Sequence, residues 1–112
     1  MNDTMIRTYP AEGNDVNRVD VKITYNIGGL YGPRGYYFII TPYKYEVSGG
    51  MAVRTFRSYS GVRGNVLTCQ RKSKKRFEEA CSYIDELTDK YLPGVLEENG
   101  ITITGEYTET IE

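Results

Sequence analysis

The stretch Val19-Asp20-Val21-Lys22-Ile23-Thr24-Tyr25-Asn26-Ile27 places an apolar residue at every odd position and a polar one at every even position. Successive side chains of a strand point to opposite faces, so this period of two predicts a β-strand with one face on a core and one in water. The flanking sequence supplies partners for it. Ile27 to Gly35 holds four glycines and Pro33 and predicts a loop. Tyr36 to Val47 predicts a second strand, apolar on both faces over Tyr36, Tyr37, Phe38, Ile39 and Ile40. Pro42 cannot donate to a ladder and is expected at an edge or a bulge. Ser48-Gly49-Gly50 predicts a hairpin turn, because glycine tolerates the positive φ such turns require. Met51 to Ser60 then returns as a third strand, with Tyr45 opposite Arg54 and Tyr43 opposite Phe56. Val66 to Gln70 is compatible with a further short strand.

Downstream the period changes. Phe77, Cys81, Ile84, Leu87 and Tyr91 recur at steps of three and four, with Ala80 beside them, which predicts an amphipathic helix. Ser73 is its expected N-cap. Pro93-Gly94 is expected to end or kink it, with Val95 to Asn99 adding a turn before Gly100 caps it. Ile101 to Thr110 predicts a last strand. Residues 1–17 show no period and are expected to form a flexible N-terminal arm, leaving 18–112 as a single domain. The expected fold is α+β: an antiparallel sheet of three to five strands packed against one long α-helix.

Composition narrows the chemistry. The chain of 112 residues has eleven tyrosines, no histidine and no tryptophan. Without histidine, Ser–His–Asp and Cys–His nucleophilic arrangements are excluded. The paired acids Glu78-Glu79 and Glu97-Glu98 are adjacent residues of a helix pattern and point about 100° apart, as solvated surface does. Gly28 to Gly35 lies between two strands and lacks the Gly-Lys-Ser/Thr ending of a P-loop. Cys69 and Cys81 are too few for a disulfide framework and have no histidine to complete a zinc knuckle. They read as two reduced thiols. No apolar run reaches the roughly 18 residues that span a bilayer. These features predict no enzyme, no cofactor, no metal and no membrane contact, and a cytoplasmic location.

Charge is the most informative remaining feature. Between Gly49 and Phe77 stand eight basic residues and no acid; from Glu78 to Glu112 stand ten acids and one lysine, within a net charge of −1. The candidate basic face comprises Arg54, Arg57, Tyr59, Arg63, Arg71, Lys72, Lys74, Lys75 and Arg76. Its densest part surrounds the expected helix N-terminus, where a cation costs about 0.3–1 kcal/mol and stability would place acids. An anion there would meet free backbone N–H groups as well as ammonium groups. Arginine with tyrosine suits phosphates and stacked bases, and suits protein interfaces equally. Tyr31 and Arg34, at the tip of the glycine loop, are candidate contacts. Asp85, Asp89, Glu97 and Glu98 form a candidate acidic face, either ordinary hydrated exterior or a surface offered to a basic groove.

The segment Lys22-Ile23-Thr24-Tyr25-Asn26-Ile27-Gly28-Gly29, with Arg34-Gly35-Tyr36-Tyr37, Thr41-Pro42, Ser60-Gly61-Val62-Arg63 and Arg71-Lys72-Ser73-Lys74-Lys75, resembles small accessory proteins of phages and conjugative elements of Gram-positive bacteria. The resemblance covers about half the chain and brings no catalytic motif. It implies a mobile-element factor of anti-CRISPR type, a protein inhibiting a host defence nuclease by protein–protein contact. The partner would be a CRISPR effector nuclease, and the alternative is a small protein that binds DNA or RNA through its basic face.

Overall fold

The computed structural model describes residues 3–29, 32–55 and 61–112. Its frame is an antiparallel meander. β1 (Thr4–Glu12) pairs with β2 (Arg18–Asn26), and β2 pairs with β3 (Gly35–Ser48). Two short strands then share the outer edge of β3: β4 (Met51–Thr55) pairs with Lys44 to Ser48, and β5 (Val62–Thr68) pairs with Gly35 to Ile40. After the helices α1 (Lys74–Cys81) and α2 (Ile84–Asn99), β6 (Thr102–Ile103) and β7 (Thr108–Ile111) return along β1 in the same divided way. The sheet curls into a half barrel. A β-bulge between Tyr36 and Tyr37, where β5 shifts register, adds local twist and bend.

The fold thus differs from the expectation of three to five strands under one long helix. Among the described residues it has seven strands and two short helices. One source of the difference is residues 4–12, which form β1 where a flexible arm was expected. Met5, Arg7, Tyr9 and Ala11 stand opposite Ile23, Val21, Val19 and Ile103 and share their inward face. A guanidinium at one of those inward positions erases the apolar alternation. The other source is the helix. The Tyr83 amide bonds back to the Ala80 carbonyl at 3.2 Å, a three-residue step, and the Ser82 hydroxyl donates to the Glu79 carbonyl at 2.5 Å. This tightened turn divides the helical stretch in two. Pro93 lies inside α2 and does not end it; Gly100, at φ 64°, caps it.

The core fills the concave side. Val19, Val21 and Ile23 are fully buried, as the alternation required, against Tyr36, Phe38 and Ile40 of β3. Phe77, Ala80, Ile84, Leu92 and Val95 pack onto them from the helices, with Ile101 closing the end. Leu87 is only partly buried and Tyr91 is exposed, because the turn at Ser82 rotates the stripe. Tyr45 pairs with Arg54 across the Gly49-Gly50 turn, whose φ values are 58° and 79°. The pairing of Tyr43 with Phe56 lies outside the described residues. Among the described residues no helix is long and apolar enough to cross a membrane.

Candidate binding surfaces

One end of the sheet gathers cations from three segments. The chain leaving β5 is tied to the β2–β3 loop: the Cys69 amide donates to the Arg34 carbonyl at 3.1 Å, and the Tyr25 hydroxyl donates to the Gln70 carbonyl at 3.1 Å. Arg34 is thereby held beside the start of the run Arg71 to Arg76. Its own Nε donates to the Ile27 carbonyl at 3.2 Å. Ser73 caps α1, its hydroxyl accepting from the Arg76 amide at 3.1 Å, so Lys74, Lys75 and Arg76 occupy the first turn. That turn contains no acid.

The cations differ in what holds them. Lys72 Nζ lies 2.9 Å from Asp3 and 5.8 Å from the Tyr25 ring centre, and this hydrogen bond holds the Asp3 carboxyl below its usual range. Arg76 pairs with Glu79 at 3.1 Å, both half exposed. Arg71, Lys74 and Lys75 are exposed and have no carboxylate partner among the described residues. Arg63 stands further along β5, its guanidinium 4.8 Å from the centre of the buried Tyr37 ring, whose hydroxyl donates to the Pro33 carbonyl at 2.6 Å.

The nine-residue basic face is therefore not one surface. Arg54 lies on β4 opposite Tyr45, ten residues along β3 from Gly35, or roughly 30 Å at strand rise. Its side chain, and Arg57, Tyr59 and Tyr31 altogether, lie outside the described residues. The cationic end that the structure assembles is Arg34, Arg71, Lys72, Lys74, Lys75 and Arg76.

The acidic candidates also separate. Asp85 sits in the first turn of α2, where the helix dipole favours it, and its carboxylate takes Arg7 Nη1 at 2.5 Å. Arg7 Nε donates to Glu109 at 2.9 Å, and its guanidinium lies 4.5 Å from the Tyr107 ring centre. Burial pulls the Arg7 pKa down, but the bonds to Asp85 and Glu109 outweigh it and the net shift is upward. Asp85 is thus part of a structural clasp between β1, β7 and α2. Asp89, one turn further, is exposed. Glu97 and Glu98 are exposed in the last turn of α2, which carries no basic residue, so they oppose the helix dipole as the cations of α1 do.

A groove of about 610 Å3 lies between α1 and β7, lined by Met5, Phe77, Cys81 and Ile111 with Lys74 and Glu78 at its walls. Sequence reasoning missed it, because its residues come from three elements far apart in the chain. Cys81 and Cys69 are both free thiols. Burial, with Glu109 and Glu78 adding and Arg7 opposing, pushes Cys81 up from 9.0 to about 11. A raised folded-state pKa means that the folded thiol keeps a proton the unfolded chain gives up. Stability should therefore fall as pH rises between about 9 and about 11. Chemical denaturation of Cys81→Ala across that window should show a shallower pH slope than the parent; equal slopes would refute the assignment. Among the described residues no three His, Cys, Asp or Glu side chains converge to hold a metal ion.

Comparison with known protein families, with curated proteins and with solved structures gives no match to this chain.

Proposed function

We propose that this protein acts by binding and not by catalysis, as a mobile-element factor that inhibits a host defence nuclease of CRISPR type in the bacterial cytoplasm. Its cationic end is the contact surface in this reading. The observation that carries the surface is the first turn of α1, where Lys74 and Lys75 stand without salt-bridge partners beside an equally unpaired Arg71 and the turn itself holds no acid. Such an arrangement costs helix stability, so a partner's negative charge is its natural complement. The resemblance to phage and conjugative-element proteins supports the choice of partner. Co-purification with a panel of CRISPR nucleases, with target cleavage as readout, tests it. The parent chain should abolish cleavage by at least one nuclease, and the Arg71→Ala/Lys74→Ala/Lys75→Ala triple variant should weaken that inhibition at least tenfold. An unaffected panel would refute the proposal.

A second reading, direct binding of DNA or RNA, is favoured by the same cations standing around the free backbone N–H groups that Ser73 leaves at the helix start. Binding of a labelled duplex or single strand, measured against salt, distinguishes the two. In this second reading the log–log salt slope of the triple variant falls by about 0.7–0.9 per lost phosphate contact. Absence of any shift at low salt excludes it.

A further inference from the structure

The groove between α1 and β7 has a sheet edge as one wall. Thr4 and Glu112 exchange both backbone bonds, at 3.0 and 2.8 Å, so they form a hydrogen-bonded pair of the β1–β7 ladder. Bonded and non-bonded pairs alternate in antiparallel sheets, so Ile6–Thr110 and Thr8–Thr108 are bonded while Met5–Ile111 and Arg7–Glu109 are not. The N–H and C=O groups of Glu109 and Ile111 therefore point away from β1, to the outer edge of β7. All four β7 residues are exposed, and none is a lysine or proline that would blunt an edge. The side chains of Glu109 and Ile111 share the inward face of Arg7 and Met5; Ile111 lines the groove with Phe77 and Cys81, and Glu109 stands beside it, bonded to Arg7.

The charges of the site select among occupants. Glu106, Glu109 and Glu112 mark the edge segment and Glu78 the helix wall, against Lys74 and against Arg7, which bonds one oxygen of Glu109. A second copy of the chain pairing edge to edge, centred on Thr110, would set Glu109 opposite the other copy's Ile111 and diagonal to its Glu109, crowding like charges on one short ladder. A partner strand carrying cations meets the opposite situation.

We infer that the groove takes an extended segment of a partner protein, added as a strand to the outer edge of β7, with a basic side chain beside Glu109 and, two residues away, an apolar one lodged on Phe77 and Ile111. Backbone bonds to Glu109 and Ile111 supply affinity, and the alternate side chains supply selectivity. This site adjoins the cationic end, with Lys74 at its wall, but it rests on a different observation, the outward backbone groups of β7.

Fluorescence anisotropy with labelled octapeptides tests the assignment on the full chain. The probes alternate threonine with arginine and leucine, and a matched set has glutamate in place of arginine. The arginine peptides should bind at least tenfold more tightly than the glutamate peptides. Ile111→Pro removes an N–H that the sheet does not use, so it should keep the parent Tm and weaken binding at least tenfold. Glu78→Lys, on the exposed helix wall, should weaken the arginine peptides severalfold and narrow the difference between the two sets. Arg71→Ala/Lys75→Ala should leave peptide binding unchanged. No binding of the arginine peptides at millimolar concentration, equal binding of both sets, or parent-like binding by Ile111→Pro would overturn the inference. So would a concentration-dependent dimer that Ile111→Pro abolishes, since the occupant would then be a second copy.

Discussion

Gly35→Ala is expected to destabilise the protein by about 3 kcal/mol or more, a large part of the 5–15 kcal/mol typical of a small domain. Gly35 opens β3 at φ 155°, and an added Cβ would lie 2.1 Å from the Leu67 carbonyl oxygen and 2.9 Å from the Thr68 Cα. Both obstacles are backbone, so no rotamer change relieves them. β5 cannot retreat without breaking its pairing at Gly35–Thr68 and the bond from the Cys69 amide to the Arg34 carbonyl. At about 4–8 °C per kcal/mol for a domain of this size, Tm should fall by more than about 12 °C. A shift under about 3 °C would show that the strands are not as close there as the structure places them. The effect bears on function too, since this contact sets Arg34 beside Arg71. If the proposed function holds, a folded but weakened Gly35→Ala chain should lose nuclease inhibition along with stability.

What could be read from the sequence was local. Val19, Val21 and Ile23 announce their buried face by period alone, and Gly49-Gly50, Ser73 and Gly100 each announce a backbone conformation. The cationic end was legible for the same reason: five of its six cations are consecutive or nearly so, and Ser73 locates them on a helix start. Features that depend on chain reversal were not legible. The placement of Arg54 on the candidate face with Arg71 to Arg76 assumed one third strand, whereas β4 and β5 occupy opposite ends of β3. The groove joins Met5, Phe77 and Ile111, which no spacing rule connects. β1 escaped because Arg7 holds an inward position that pattern reading reserves for an apolar residue.

Arg7 is therefore where a second large effect is expected. It is 9 % exposed and sits on the core face of β1 between Glu109 and Asp85. Truncating one partner of a buried pair costs about 3–5 kcal/mol when both charges are buried. Here the Asp85 side chain is 80 % exposed and Glu109 36 %. Water can therefore resolvate the abandoned carboxylates, and Arg7→Ala should cost less, about 2–3 kcal/mol. Much of that is the lost stem packing and the contact with Tyr107, which an arginine provides independently of its charge. Arg7→Met retains the stem and should cost only about 1 kcal/mol. Asp85→Asn, which removes an exposed partner, should cost less than about 1 kcal/mol, in the range of surface pairs. The decisive measurement is a double-mutant cycle by chemical denaturation. Coupling of Arg7 to Glu109, its neighbour across the β1–β7 ladder, should exceed coupling to Asp85. If the order reverses, the clasp serves to dock α2 and not to hold β7. Should it hold, Arg7→Met, which keeps the stem and frees the Glu109 carboxylate, should bind the arginine octapeptides at least as tightly as the parent does.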